Sequence, residues 1–289
     1  MFKKKKDQTY QSYWSISWNI FKKNKVAMVC LFIVILLCLI ALFAPLIAPY
    51  DPNKQVLTDR LMKPCAQHWF GTDDLGRDIF SRIIYGCRVS LSVGIISQII
   101  ATVIGYTMGV CAGYFGGKVD AVISFLIQVF SSFPFLLFAM AIMFVLGPGL
   151  INLYLALGLL GWASTARLIR GDVMRLKKME YIDACKVSGG NSFRIIMKHL
   201  LPNCLSTLIV TVTLGIPNAI MSEASLSFLG LGVKAPMASW GSMISFSQPY
   251  IRSATYYSVI PGLAIIITVL AFNMLGDGLR DALDPKLRS

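Results

Sequence analysis

The sequence predicts an all-α integral membrane protein with six transmembrane helices, and three observations support that fold class. The chain of 289 residues is 56% hydrophobic and only 14% charged, and its mean hydropathy is +0.66. Long uncharged runs divide it, and Lys and Arg are concentrated between alternate runs. Soluble domains carry roughly 25% charged residues. Charge this sparse cannot cover a water-exposed surface, so lipid must be the outer solvent.

The uncharged runs give the number of spans, because about 20 apolar residues cross the hydrocarbon layer. Runs of 25, 29, 24 and 24 residues without Asp, Glu, Lys or Arg lie at 26–50, 89–117, 199–222 and 253–276. A fifth run of 46 residues is long enough for two spans, and Gly147-Pro148-Gly149 predicts a turn between them. The first run is too long for the core of a signal peptide, so we expect a retained helix.

The basic residues predict the orientation of the chain. Of the 27 Lys and Arg residues, 19 lie in 1–25, 113–121, 165–203 and the C-terminal tail. An even number of spans puts both termini on one side, and the excess of Lys and Arg puts that side in the cytoplasm. The net charge of +13 is then an orientation signal that also favours anionic lipid. Membrane lipid is an expected partner, and nucleic acid is not.

The predicted organisation has five parts. They are a cytoplasmic tail with an interfacial amphipathic helix at 1–25, a first transmembrane helix at 26–48, an extracytoplasmic loop at 49–87, a five-helix core at 88–280 that contains a cytoplasmic loop at 165–203, and a cytoplasmic tail at 281–289. Trp14, Trp18 and Phe21 share one helical face beside lysines, which favours the headgroup layer. A disordered basic tail is the alternative.

Small residues recur every four positions in the second predicted span. They are Ser97, Ala101, Gly105, Gly109 and Gly113. Such a stripe lets two helix backbones approach closely, and packing of this kind holds membrane helices together. We therefore predict a helix-packing surface, with a pore lining as the alternative.

Proline and glycine mark further features of the predicted helices. Pro134, Pro217 and Pro261 fall inside spans, where we expect kinks. In the cytoplasmic loop, Gly189-Gly190 separates two predicted short helices at 174–187 and 192–201, and Pro202 is expected to mark the return to the membrane.

Few residues are available for catalysis or metal binding. The two histidines, His68 and His199, fall on opposite sides of the predicted membrane, and the sequence has no H-E-x-x-H or G-x-S-x-G motif. The seven cysteines have no metal-ligand spacing; we expect free thiols, with a Cys65–Cys87 disulfide as the alternative. The chain is therefore not expected to be an enzyme, and no metal site is predicted.

The cytoplasmic loop carries a recognisable motif. Asp183-Ala184-Cys185 is followed after three residues by Gly189, and Leu201-Pro202 comes further on. This spacing resembles the EAA loop of bacterial ABC importer permeases. Asp183 stands where that family has Glu, Cys185 where it has Ala, and His199 where it has Ile. The resemblance implies that the hairpin docks on a separate ATPase subunit.

Three further segments resemble signatures of the second permease of dipeptide, oligopeptide and nickel ABC importers. They are 70–82 (FGTDDLGRDIFSR), 223–232 (EASLSFLGLG) and 276–285 (GDGLRDALDP). The resemblance covers residues 14–289 approximately. It implies the transmembrane fold of type I ABC importers, as in methionine and maltose permeases.

The same resemblance implies a function and a set of partners. The chain would form half of a translocation pathway for di- or oligopeptides in the bacterial cytoplasmic membrane. The expected partners are a second homologous permease, two ABC ATPase subunits and an extracytoplasmic binding protein. ATP and Mg would lie on the ATPase subunits, and this chain would bind no cofactor. Nickel or a metal-chelate is the nearest alternative cargo, and an ATP-independent channel or carrier is a remote alternative.

Polar residues in the predicted outer loop have two interpretations. Thr72 or Asp73 is placed to cap a helix, and Asp73 and Arg77 are spaced for an i, i+4 ion pair. In the functional interpretation, Asp73, Arg77 and Asp78 contact the binding protein or help to close an outer gate.

Glu223 is the only ionisable residue within a predicted span. Ionisable residues in membranes commonly mark substrate paths, so Glu223 is a candidate for the translocation path. The alternative is a structural pair with Arg252 or with a partner chain.

Overall fold

The computed structural model describes residues 13–283, and every regular element in that range is helical. The all-α prediction is therefore confirmed. The α-helices are α1 (Tyr13–Lys23), α2 (Lys25–Leu42), α3 (Ala44–Ile47), α4 (Ile79–Phe115), α5 (Gly117–Ser132), α6 (Phe135–Leu146), α7 (Leu150–Leu176), α8 (Glu180–Val187), α9 (Ser192–Ile195), α10 (Leu201–Phe228), α11 (Trp240–Ser247) and α12 (Thr255–Leu283). The outer parts of both predicted tails, including the Asp284-Pro285 end of the third signature, lie outside the described residues.

The number of membrane-spanning helices is four or five by length and composition. Four helices qualify on their own: α2, α4, the continuous helix from Ser192 to Phe228, and α12. The pair of α5 and α6 makes a fifth if the two count as one span. The 27-residue helix α7, predicted as a further span, carries Arg167, Arg170, Asp172 and Arg175 in its second half. The count of six therefore stays a prediction.

The predicted kink at Pro134 is a complete break. The axes of α5 and α6 differ by 90°. Phe133 has an extended backbone (φ −89°, ψ 139°) and Pro134 begins the next helix. Proline has no amide hydrogen and disfavours helical backbone in the residue before it, so the helix ends instead of bending. Pro217 and Pro261 do lie inside continuous helices, α10 and α12.

The helices pack around α4, which contacts α7 over most of its length and also contacts α10 and α2. Helix α12 packs on α10, and α2 lies outside α12. Helix α1 reaches α12 through Phe21, which is 2% exposed, whereas Trp14 and Trp18 are about half exposed. The Phe21 ring packs in the cluster with Ala27 and Ala282 and also stacks on the ring of Trp18, with 5.6 Å between the ring centroids. The interfacial position of α1 stays a prediction.

The helices of the cytoplasmic loop differ from their predicted bounds. Helix α7 ends at Leu176 and α8 begins at Glu180, so 174–187 is not one helix. The second helix does not end at 201; it continues from Ser192 to Phe228 through a π-helical turn at Ile196–Leu200. Pro202 lies in the first turn of α10, where the wider π turn before it accommodates a residue without an amide hydrogen.

The remaining predicted features concern the connections. Helix α6 ends at Leu146 and α7 begins at Leu150, so the predicted turn at Gly147-Pro148-Gly149 is confirmed. All seven cysteines are free, and Cys65 and Cys87 do not pair.

Candidate functional site

The stripe of small residues on α4 faces α7. Added side-chain carbon atoms at Gly105, Gly109 and Gly113 would lie 2.6–2.9 Å from atoms of α7. For Gly109 the nearest of these is the backbone oxygen of Ala166, at 2.7 Å. Real side chains do not tolerate such distances, so the two backbones meet closely because these residues are glycines.

The predicted coupling hairpin is α8 and α9. Its turn is a Schellman motif: the amide of Gly189 donates to the carbonyl of Lys186 at 3.0 Å, and the amide of Gly190 donates to that of Cys185 at 2.9 Å. Gly189 has a φ of +79°, a conformation that residues with side chains adopt at a cost. Gly189 therefore ends α8 and turns the chain, as its position in the motif predicts.

The hairpin is attached by few side chains. Ile182 of α8 and Ile195 of α9 are buried in a cluster with Val173 and Leu200, and Leu201 packs against its edge. Asp183 and Ala184 are exposed. The most exposed large apolar side chains of the hairpin are Val187, which is 90% exposed, and Phe193, which is 72% exposed.

Among the described residues, one polar contact ties the hairpin to α4, a 3.4 Å hydrogen bond from the hydroxyl of Tyr114 to that of Ser192, and the others lie within the cytoplasmic loop. Asp183 accepts a 2.7 Å hydrogen bond from Lys186 one turn later. The Cys185 thiol lies 3.6 Å from Nε2 of His199, which joins α8 to the π turn. Burial raises the pKa of the Tyr181 phenol, with a smaller contribution from Cys204. Tyr181 is therefore neutral at physiological pH and adds no charge to the surface of the hairpin.

The candidate residues of the 59–82 segment are buried in an ion network. The Asp73 carboxylate accepts from the amides of Leu75 and Arg77 at 2.9 Å each, and from Nε of Arg77 at 2.6 Å. The guanidinium of Arg82 approaches the same carboxylate to 3.4 Å and donates to the carbonyl of Pro52 at 2.9 Å. The predicted i, i+4 pair is therefore present.

Asp78, and not Thr72 or Asp73, is the residue that caps α4. Its Oδ2 accepts from the amide and the hydroxyl of Ser81 at 2.8 and 2.7 Å, and its Oδ1 contacts Nδ1 of His68 at 2.9 Å. Asp73, Arg77 and Asp78 are each at most 4% exposed. In this conformation their side chains bond within the segment, and their role in contact with a binding protein or in an outer gate stays a prediction.

Glu223 of α10 is completely buried and hydrogen-bonded to serines. Its Oε1 accepts from the hydroxyls of Ser227 at 2.6 Å and Ser239 at 2.7 Å. Within residues 13–283 its Oε2 has no partner. Within the same residues Glu223 forms no ion pair with Arg252, the pair that the alternative interpretation expects. Glu223 joins α10 to Ser239, the residue before α11, and is not among the residues that line the large cavity described next. Its place in the translocation path stays a prediction.

The large cavity, of about 1350 Å³, lies between α4, α7 and α10. Its charged lining residues, Asp172, Arg175 and Arg280, lie near the C-terminal ends of α7 and α12. Along α10 the cavity runs from Pro202 to Ser222, about 30 Å at a rise of about 1.5 Å per residue. That distance is close to the thickness of the hydrocarbon layer, roughly 30 Å.

One face of α10 lines this cavity, and sequence reasoning missed it. Its polar members are Asn203, Ser206, Thr207, Thr211, Asn218 and Ser222. Their spacing follows the helical repeat, so the signal was present as a polar stripe within an uncharged run. A search for ionisable residues alone passed over it, because none of these side chains carries a charge.

The sequence of the chain matches a known family over most of its length. Residues 102–289 match the family described as binding-protein-dependent transport system inner membrane component. The chain belongs to this family. Residues 12–64 match the N-terminal transmembrane domain of oligopeptide transport permease C. The protein is therefore an ABC importer permease, a multi-pass protein of the inner membrane.

Curated relatives of the permease cover almost all of it. It is 46% identical to the dipeptide transport system permease protein of Bacillus subtilis, over 96% of this chain and 87% of that one. It is 42% identical to the oligopeptide transport system permease protein of the same organism, over 96% and 91%. It is 41% identical to a glutathione transport system permease protein of Pectobacterium atrosepticum, over 98% and 95%.

Solved structures of similar fold come from the MetNI methionine ABC transporter in inward-facing conformations. One aligns with a TM-score of 0.57 at 19% identity, over 71% of the permease and 98% of that chain. A second crystal form gives a TM-score of 0.56 at 20% identity, over 70% and 96%. The predicted type I ABC importer fold is therefore confirmed.

Proposed function

We propose that the permease forms half of a membrane pathway for peptides and that hydrolysis of ATP on other subunits drives the transport. The observation that carries this proposal is the cavity along α10, which is about as long as the membrane is thick and in which the face of α10 presents uncharged polar side chains. Hydroxyl and amide groups can bond the donors and acceptors of a peptide main chain.

The names of the relatives support the choice of peptides. Three curated permeases more than 40% identical are those of dipeptide, oligopeptide and glutathione transport systems. A metal as cargo has no comparable support. Within residues 13–283, no group of three or more His, Cys, Asp or Glu residues has a metal-binding arrangement.

The α8–α9 hairpin is proposed as the docking site for an ATPase subunit. Its exposed Val187 and Phe193 are apolar, and no element within residues 13–283 covers them. Such side chains commonly anchor helices in partner grooves. A second permease would complete the pathway, two ATPase subunits would bind ATP and Mg, and a binding protein would deliver peptide. In this arrangement both termini lie in the cytoplasm.

Reconstitution tests this function directly. The permease, co-expressed with the adjacent permease, ATPase and binding-protein genes, is placed in liposomes, and uptake of labelled alanyl-alanine is measured with and without ATP. We expect uptake only when ATP and the binding protein are both present. Uptake of nickel with no uptake of alanyl-alanine would contradict the peptide assignment, and uptake without ATP would contradict the coupled mechanism.

A further inference from the structure

One wall of the cavity contains a buried hydroxyl group without a partner. Ser97 of α4 lines the cavity and is 1% exposed, and its Oγ has no hydrogen-bond partner within residues 13–283. Buried hydroxyl groups are almost always satisfied, because an unmade hydrogen bond costs free energy. A hydroxyl left unbonded at the edge of a cavity is therefore available to a ligand.

The next residue, Gln98, brings a carboxamide to the same wall. It lines the cavity, is 8% exposed, and donates only one long bond, 3.3 Å, from Nε2 to the hydroxyl of Thr102. Its end lies against Gly215 of α10, where an added side-chain carbon would clash with the amide carbon and both terminal atoms of Gln98. Gly215 thus provides the space that the side chain of Gln98 occupies.

The charged residues of the cavity lie on other helices than this pair: Asp172 and Arg175 on α7, and Arg280 on α12. Ser97 is on α4, and the charged residues Asp172 and Arg175 lie at the end of α7 near Leu176 and Pro202. Thr207 and Arg175 already bind the Asp172 carboxylate, at 2.6 and 3.1 Å. Ser97 and Gln98 themselves offer neutral donors and acceptors, which suit an amide better than the charged ends of a peptide.

The geometry points to a subsite at Ser97, Gln98 and Gly215 that binds the main-chain amide of a peptide in transit. A carboxamide presents one donor group and one acceptor, which is the pattern of the peptide unit itself. Such a subsite binds peptides whatever their side chains, because it contacts only the group that all of them share. This inference rests on the proposed function, since it assumes that peptides enter the cavity.

The test is discrimination between two dipeptides in the reconstituted complex. Uptake of alanyl-alanine is compared with uptake of its analogue methylated on the peptide nitrogen, which lacks that donor, at saturating binding protein. The variants are Gln98→Leu and Ser97→Ala. The ratio of the two uptake rates is taken on one preparation, so a lower yield of a variant does not change it. The binding protein is the same throughout, so a change in the ratio of uptake rates is caused by the substitution in the permease.

We expect the unmodified permease to favour alanyl-alanine, and Gln98→Leu to reduce that preference at least threefold, with a smaller reduction for Ser97→Ala. The control is Thr107→Val, on the same helix, where the exposed hydroxyl bonds the carbonyls of Val103 and Ile104; its ratio should equal that of the unmodified permease. Import with an unchanged ratio in both variants would overturn the subsite and leave the proposed function intact. Absence of any dipeptide import by the unmodified complex would overturn both.

Discussion

The 59–82 segment and the α8–α9 hairpin both connect long helices, but they are stabilised in opposite ways. The first contains four charged side chains that are almost fully buried: Asp73, Arg77, Asp78 and Arg82. In the hairpin only Ile182 and Ile195 are buried, and its charged residues are exposed. Buried ion pairs therefore hold the 59–82 segment together, whereas the hairpin is held by two buried isoleucines and exposes Val187 and Phe193.

The largest expected effect is at Asp73. In Asp73→Ala the guanidinium groups of Arg77 and Arg82 lose their shared carboxylate while both stay buried. An unpaired buried charge costs about 3–5 kcal/mol, so we expect a strongly reduced melting temperature in detergent or failure to accumulate in the membrane.

The matched control is Asp51→Ala, since Asp51 is exposed and accepts one hydrogen bond, from the amide of Asn53. Its cost should be about 1 kcal/mol or less. Equal melting temperatures for the two variants would show that the buried network does not stabilise this segment.

A second prediction extends the comparison to the contact of α4 with α7. Gly109→Leu places a large side chain against the backbone of Ala166, so the helices must separate. Overpacking of this kind costs about 1–3 kcal/mol or more. We expect a lower yield of assembled permease, measured by size-exclusion chromatography.

Gly171→Leu is the control, because Gly171 is on α7 but has no atom within 4 Å of an added side-chain carbon among the described residues. It should leave the yield nearly unchanged. A normal yield for Gly109→Leu would refute close packing along the stripe.

The smallest effect on stability is expected in the hairpin. There we also expect the largest difference between the effect of a substitution on stability and its effect on ATP hydrolysis. Ala184 is exposed, so Ala184→Arg should change the free energy of unfolding by about 0.5 kcal/mol or less. The same change should abolish peptide-stimulated ATP hydrolysis, because a long charged side chain would enter the proposed ATPase groove. Ala184→Ser should retain it. Retention of ATPase subunits and full stimulated hydrolysis in Ala184→Arg would exclude this surface as the coupling element.

Sequence reasoning succeeded where one helix or one turn decides the geometry. The Asp73–Arg77 pair follows from an i, i+4 spacing, and the end of α8 at Gly189 follows from the conformational freedom of glycine. It failed where distant parts of the chain decide. The cap of α4 is Asp78, whose carboxylate contacts the ring of His68 and accepts a hydrogen bond from the hydroxyl of Ser81.

The environment of Glu223 shows the same limit. Ser227 is one helical turn away and could be paired with it from the sequence, but Ser239 lies in the loop before α11 and reaches Glu223 only through the fold. The polar face of α10 is the opposite case, since its spacing alone predicts it. The sequence does not give the width of the space in front of that face. That width depends on how far α4 and α7 lie from α10 in the fold.

The continuous helix from Ser192 to Phe228 has a mechanical consequence. Its 37 residues extend for about 55 Å, from the tip of the hairpin to the neighbourhood of Glu223, and no loop interrupts them. Such a rod behaves as a lever: a tilt of about 10° at one end displaces the other by about 10 Å along that length. If an ATPase subunit docks on the hairpin as proposed, a displacement of α9 would reach the wall of the cavity through one continuous helix, with no loop between them.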